Sequence, residues 1–252
     1  MDLNLENSTP ASSAPGNIFA TTHWTVVLAA GKRSTPQADA ALAQLCRTYW
    51  YPLYAYARRH SRSREDAEDL TQGFFARLLE KKFLEGISSD GGKFRAFLLV
   101  ALKRFMANEW DRANRQKRGG GEKPFSLDWQ DADTRYQIAP ADNLSPDKLY
   151  DRAWATVVLE RVITRLRDES SAEGRGDLHE KLKPFLMLGK TEIPYARAAE
   201  ELKMSEGAVR VAVHRMRKRY RELLRAEIAR TLSDPAQADE EMQALFSALA
   251  GG

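Results

Sequence analysis

The sequence has one cysteine, Cys46, in 252 residues. A single thiol closes no disulfide within the chain and supplies no cysteine metal cluster. Its place between Leu45 and Arg47, inside an apolar-periodic run, predicts a buried inert thiol. Long hydrophobic runs are also missing. The longest, FLLVAL from Phe97 to Leu102, falls far short of the ~20 residues that span a bilayer. The N-terminus, MDLNLENSTP, has neither the basic start nor the apolar stretch of a secretion signal. A cytoplasmic protein with no membrane partner is expected. The histidines, His23, His60, His179 and His214, are scattered, with no pair at metal-ligand spacing. No Gly-rich phosphate loop and no nucleophile motif occurs. These absences predict no catalytic residue, no metal and no cofactor. Charge of one sign is not in large excess either. The formal net charge is +4, so the choice of partner depends on where the charge sits.

What is present is mostly helical pattern. Hydrophobic residues make up 43% and charged residues 29%, a globular balance, and the length allows two modest domains. Residues 1–20 are rich in Asn, Ser, Ala and Pro without periodicity and read as a disordered tail. Residues 21–118 form a first helical domain. In it, Leu42, Leu45, Tyr49, Leu53 and Tyr56 recur at three or four, with Pro52 placed to kink or break that helix. Ser63 is positioned as an N-cap ahead of acidic residues. A long helix from about Lys93 ends at Gly119-Gly120-Gly121. Residues 119–147, rich in Gly, Pro and Asp, read as a flexible linker. A second helical domain covers 148–232, interrupted by a loop at "RDESSAEGRGD". An acidic amphipathic extension, 233–252, begins on a Ser-Asp-Pro helix-start signal. It places Met242, Leu245, Phe246 and Leu249 on an apolar side, and it either folds over a basic surface or packs as a cap. No strand pair or internal repeat is apparent, so the fold class is all-α.

Two stretches carry chemistry. In "PYARAAEELKMSEGAVRVAVHRMRKRYRELLR", Ala198, Ala199 and Leu202 give a short helix a small-residue face. Lys203-Met204 form a turn, and Ser205 caps a second helix. Along that helix Val209, Val213, Met216 and Tyr220 make a buried stripe, and Arg210, His214, Arg217, Lys218 and Arg221 recur on the opposite face. Small alanines let two helices cross closely. This is the layout of a helix-turn-helix, whose second helix enters the DNA major groove. From Lys203 to Arg230 there are nine Lys or Arg against three Glu, a patch suited to phosphates. A solvated charged helix face is the bland alternative. Arg210 and His214, in the N-terminal half, are expected at base edges, and Arg217, Lys218 and Arg221 at phosphates.

The second stretch is "EDAEDLTQGFFARLLE", with a core stripe of Ala67, Leu70, Phe74 and Leu78, while Glu65, Asp69, Gln72 and Ala76 lie on another face. Its carboxylates suit a metal, a catalytic role or a basic partner, and equally a solvated helix start. The following helix, with Phe94, Leu98, Ala101, Leu102 and Phe105 as core, carries Asn108, Asp111, Arg112 and Arg115 on an outward stripe near Trp110. That set suits unpaired bases, and also a plain exposed helix end.

The order of "AEDLTQGFF", "FRAFLLVALKRFMANEWDRANRQKR", a linker and "SEGAVRVAVHRMRKRYREL" resembles bacterial RNA polymerase sigma factors of the extracytoplasmic-function class. The resemblance implies a transcription-initiation factor without catalytic activity, made of a region-2-like and a region-4-like domain. It implies core RNA polymerase as a partner, bound through Glu68, Asp69 and Gln72, and promoter DNA as another. Asn108, Asp111, Arg112 and Arg115 would read and melt the minus-ten element, with "GISSDGGK" in the place of a base-capturing loop. Ser205, Arg210, His214, Arg217, Lys218 and Arg221 would read the minus-thirty-five element. An anti-sigma factor or another regulator would be a further partner. The sequence departs from the family at Phe97, where Trp is usual, and at Ala208, Val211 and Ala212, which replace more polar residues. Competing readings are a stand-alone helix-turn-helix regulator and a helical enzyme using the carboxylates around Asp69.

Overall fold

The computed structural model describes residues 23–32, 35–80, 92–115, 134–137, 144–186 and 195–250. The expected tail over 1–20 and most of the expected linker lie outside them. Among the described residues the fold is all-α, with one isolated antiparallel bridge between Lys93 and Leu232. The helices are α1 (His23–Lys32), α2 (Pro36–His60), α3 (Arg64–Leu78), α4 (Phe94–Arg115), α5 (Pro146–Ala172), α6 (Gly176–Leu182), α7 (Tyr195–Leu202), α8 (Glu206–Ala229) and α9 (Ala238–Ala250). No helix among them is long and apolar enough to cross a membrane.

Local chemistry sets the helix ends. Ser63, Ser145 and Ser205 each accept from the amide three residues on, at 3.0, 3.4 and 3.2 Å, and so fill one of the orphan donors of a first turn. Pro52 does not break α2, which runs through it. The expected loop at "RDESSAEGRGD" starts later than its polar composition implies, because α5 continues to Ala172. The reversal comes at Gly174, with φ +71°. There the Arg175 amide reaches the Ser170 carbonyl (2.8 Å) and the Gly174 amide that of Ser171 (3.0 Å), the paired bonds of a Schellman end.

Packing then joins what the sequence pattern separates. The buried face of α2, with Tyr49, Leu53, Tyr54 and Ala57, meets Tyr150, Trp154, Val158 and Val162 of α5. One apolar cluster draws on α1 to α5, the C-terminal half of α8, and α9. Polar contacts tie the same surfaces. Arg161 bridges Thr48 of α2 and Glu227 of α8, the latter at 3.1 Å, and Tyr150 donates to the Arg95 carbonyl (2.9 Å). A second, smaller cluster holds Leu182, Phe185, Ala198, Ala199, Val209 and Val213. Helix α8 therefore serves two cores, the small one with its first half and the large one with its second. The lone cysteine is buried, and burial pushes its thiol up to about 12.

His23 opens α1 inside the large core. Its ring lies 3.0 Å from the Tyr49 hydroxyl and edge-on to Phe94. Burial, reinforced by the cations Arg230 and Arg161, lowers its pKa from 6.5 to about 3. Between those values the unfolded chain binds a proton that the folded chain refuses. Stability from this group is complete above pH 6.5 and declines as the pH falls toward 3, by on the order of 4–5 kcal/mol in all. The urea midpoint of the parent is expected to fall more steeply from pH 7 to pH 4 than that of His23→Asn. Parallel pH profiles would contradict this assignment.

Candidate nucleic-acid interface

The turn between α7 and α8 is tight and unusual. Lys203 takes a left-handed φ of +53°, a conformation that normally favours glycine. Its amide reaches the Glu200 carbonyl (3.2 Å) and the Met204 amide that of Ala199 (3.0 Å), closing α7. Ser205 then opens α8 at once. Ala198 and Ala199 sit against Val209 and Val213, as the small-residue spacing predicts. The result is a helix, a short turn and a helix, locked by its own small core.

Rotation about α8 sorts the predicted residues. Val209, Val213, Met216 and Tyr220 point toward the cores. At 3.6 residues per turn, Val211 and Lys218 fall on the far side, flanked by His214, Arg215 and Arg221. All five are exposed. Ser205 and Arg210 are exposed too. The Arg210 guanidinium is braced, 4.2 Å over the Tyr195 ring and 3.3 Å from the Glu206 carboxylate. Arg217 differs. It is half-buried and donates twice to the Phe185 carbonyl, at 3.0 and 2.6 Å, tying α8 to the turn after α6. Arg215, absent from the predicted set, lies on the outward arc beside Val211, a position legible from the helical period. Beside this arc lies a cleft of about 620 Å³ between α5, α6 and α8, walled by Leu166, Leu178, Leu182, Met204, Val211 and Met216.

In the first half, Asp69 of α3 is exposed. Glu68 is partly covered and held by Arg64 at 2.6 Å. Gln72 is inside, 6% exposed, with no hydrogen-bond partner for its Nε2. The three residues do not form one open polar face, because Gln72 lies next to Thr71 and one turn from Phe75, both buried.

On α4, Asn108, Asp111 and Arg112 are exposed on one side. Arg115 belongs to the same helix, and its side chain lies outside the described set. Trp110 is 46% exposed, but two residues of helical rotation carry it away from Asn108. The stripe continues backward instead, through Arg104 and Ala101, into a cleft of about 270 Å³ between α3 and α4. Phe74, Phe97 and Phe105 wall it, and Arg77 and Arg104 stand at its edge. Arg104 lies one turn before Asn108 and was readable from that spacing. Of "GISSDGGK", only Gly92 and Lys93 are described.

Residues 45–116 match the sequence pattern of the family described as sigma-70 region 2. The match takes in α3, α4 and all the predicted polymerase and minus-ten residues, and it covers under half of the chain. Over those residues the chain is similar to sigma-70 region 2. No curated protein and no solved structure matches it.

Proposed function

We propose that the protein is a sigma factor of the extracytoplasmic-function class, which binds core RNA polymerase and directs it to promoters. The region 2 pattern over 45–116 carries this reading. In it, Asp69 and Glu68 meet the polymerase. Asn108, Asp111, Arg112 and Arg115 engage the melted minus-ten element, next to an aromatic cleft with cationic edges that suits unpaired nucleotides. The basic helix α8 reads the minus-thirty-five element in the major groove. The protein performs no catalysis itself and acts in the cytoplasm.

Run-off transcription with core polymerase and genomic DNA tests this. Discrete transcripts that require the protein are expected. Duplex binding without any transcript, and no co-purification with core polymerase, would instead identify a stand-alone helix-turn-helix regulator.

Single-base promoter variants across a salt series resolve the roles on α8. Arg210→Ala is expected to relax preference at one or two base pairs, losing about 1–3 kcal/mol of discrimination. Lys218→Ala should weaken all sequences alike and reduce the salt slope by about one. Arg217→Ala should lower stability through the lost Phe185 contacts and leave base preference unchanged. Identical salt slopes and uniform losses for Arg210→Ala and Lys218→Ala would reduce this helix to a charged surface.

A further inference from the structure

The turn at Lys203 folds the start of α7 back on the start of α8. Tyr195, the first residue of α7, is half-buried against the small core, and on the same helix Ala198 and Ala199 pack with Val209 and Val213. That packing makes the tyrosine ring a fixed platform. The Arg210 guanidinium carbon lies 4.2 Å from the ring centroid. Arg210 Nη2 also donates to the Glu206 carboxylate (3.3 Å), one turn earlier on α8. Arg210 and Glu206 are both exposed, and an exposed ion pair adds little to stability. The arrangement matters for where the guanidinium is held.

An unsupported arginine loses rotamer freedom when it binds, and its guanidinium has many orientations to choose from. A ring beneath the cation attracts it face-on and sets its plane. The five N–H groups lie in that plane and point out from its edge, so stacking does not consume them. Guanine presents two acceptors, O6 and N7, on its major-groove edge, which a planar fork meets with two parallel N–H bonds. Arg210 stands one turn into α8, in the part of the helix that reaches base edges in helix-turn-helix proteins. Among the described contacts no ring lies under Arg215, Lys218 or Arg221. Mobile cations suit phosphates, which accept from many directions and carry no base information.

We propose that Tyr195 is a positioning residue for base reading, and that its ring orients Arg210 to donate to O6 and N7 of a guanine in the promoter. The inference rests on the reading of α8 as the minus-thirty-five helix. Tyr195 touches no base in it and acts through Arg210. Its ring therefore governs discrimination between base pairs and has little effect on binding to unrelated DNA.

The test uses the full-length protein loaded on core polymerase, promoters recovered by run-off transcription, and single-base-pair variants of their minus-thirty-five element. The quantity read is the ratio of affinities for duplexes with and without the guanine. A partly unfolded variant loses affinity for both duplexes alike, so a merely structural role for Tyr195 would leave the ratio unmoved. Arg210→Ala should lower the ratio about fivefold or more at one G·C pair. Tyr195→Leu should lower it about two- to fivefold at the same pair, and Tyr195→Phe, which keeps the ring, should match the parent. With Arg210→Ala already in place, Tyr195→Leu should lower it no further. A parent-like ratio in Tyr195→Leu, or the same loss with Arg210 already removed, would overturn the role. So would an Arg210→Ala loss that falls on an A·T pair. A parent that discriminates at no position would sink the reading of α8 and the role of Tyr195 with it, a failure seen before any substitution is made.

Discussion

Val213→Asp is expected to abolish promoter binding and to unfold the helix-turn-helix unit, while the large core stays folded. Val213 is 2% exposed and packs with Val209, Ala198, Ala199, Leu182 and Phe185. An unpaired carboxylate there has no hydrogen-bond partner and costs several kcal/mol or more, roughly the whole worth of so small a core. The damage should be local, because Leu223, Leu224 and Ile228, on the same helix, belong to the other cluster. The tryptophans separate the two events. All five, Trp24, Trp50, Trp110, Trp129 and Trp154, precede the helix-turn-helix unit. Circular dichroism should therefore report lost helix while tryptophan emission keeps its native position. A shift of that emission together with the helix signal would show that the two cores fold as one. A variant that melts and binds like the parent would show that Val213 is not buried.

Trp154→Ala should do the reverse. Trp154 is 1% exposed, at the place where α5 lies on α2 and under the Arg95 guanidinium. Removing a buried indole leaves a cavity that its neighbours refill only in part, at a cost of about 3–5 kcal/mol. The loss should appear in urea denaturation as a lower midpoint with an unchanged slope. It should also loosen the seam between the region 2 half and the rest of the chain, since Tyr150, Val158 and Val162 share that seam with Tyr49 and Leu53. A stability change below about 1 kcal/mol would mean that α5 does not dock on α2 in solution as described.

Much of the local structure was legible before any packing was known. The caps Ser63 and Ser205, the stripe Val209–Val213–Met216–Tyr220 and the stripe Asn108–Asp111–Arg112 follow from the helical period and from side chains that complete a first turn. The direction of Arg217 was not legible. Its spacing fits an outward basic row, and only the approach of the Phe185 carbonyl turns it inward. Gln72 is similar. A polar residue on a helix reads as surface until neighbouring elements close over it, and here its Nε2 is enclosed without a partner.

The sequence by itself determined that this chain is helical, that Ser205 to Tyr220 is an amphipathic basic helix after a tight turn, and that residues 45–116 are similar to sigma-70 region 2. Those properties are written in short-range periodicity, in capping residues and in a local pattern, each set within a few turns of chain. Only the tertiary structure decided that α5, α9 and the end of α8 share a core with α1 to α4, that Glu241 meets Arg95 across 146 positions of sequence, and that residues 230–233 cap α1 and α4, which begin at His23 and Phe94. The reason is physical. An apolar stripe specifies that it must be covered, but not by which other stripe, and a lone carboxylate on a C-terminal helix does not name its partner. That choice follows from the total surface buried and from which charges can be paired once every helix is in place.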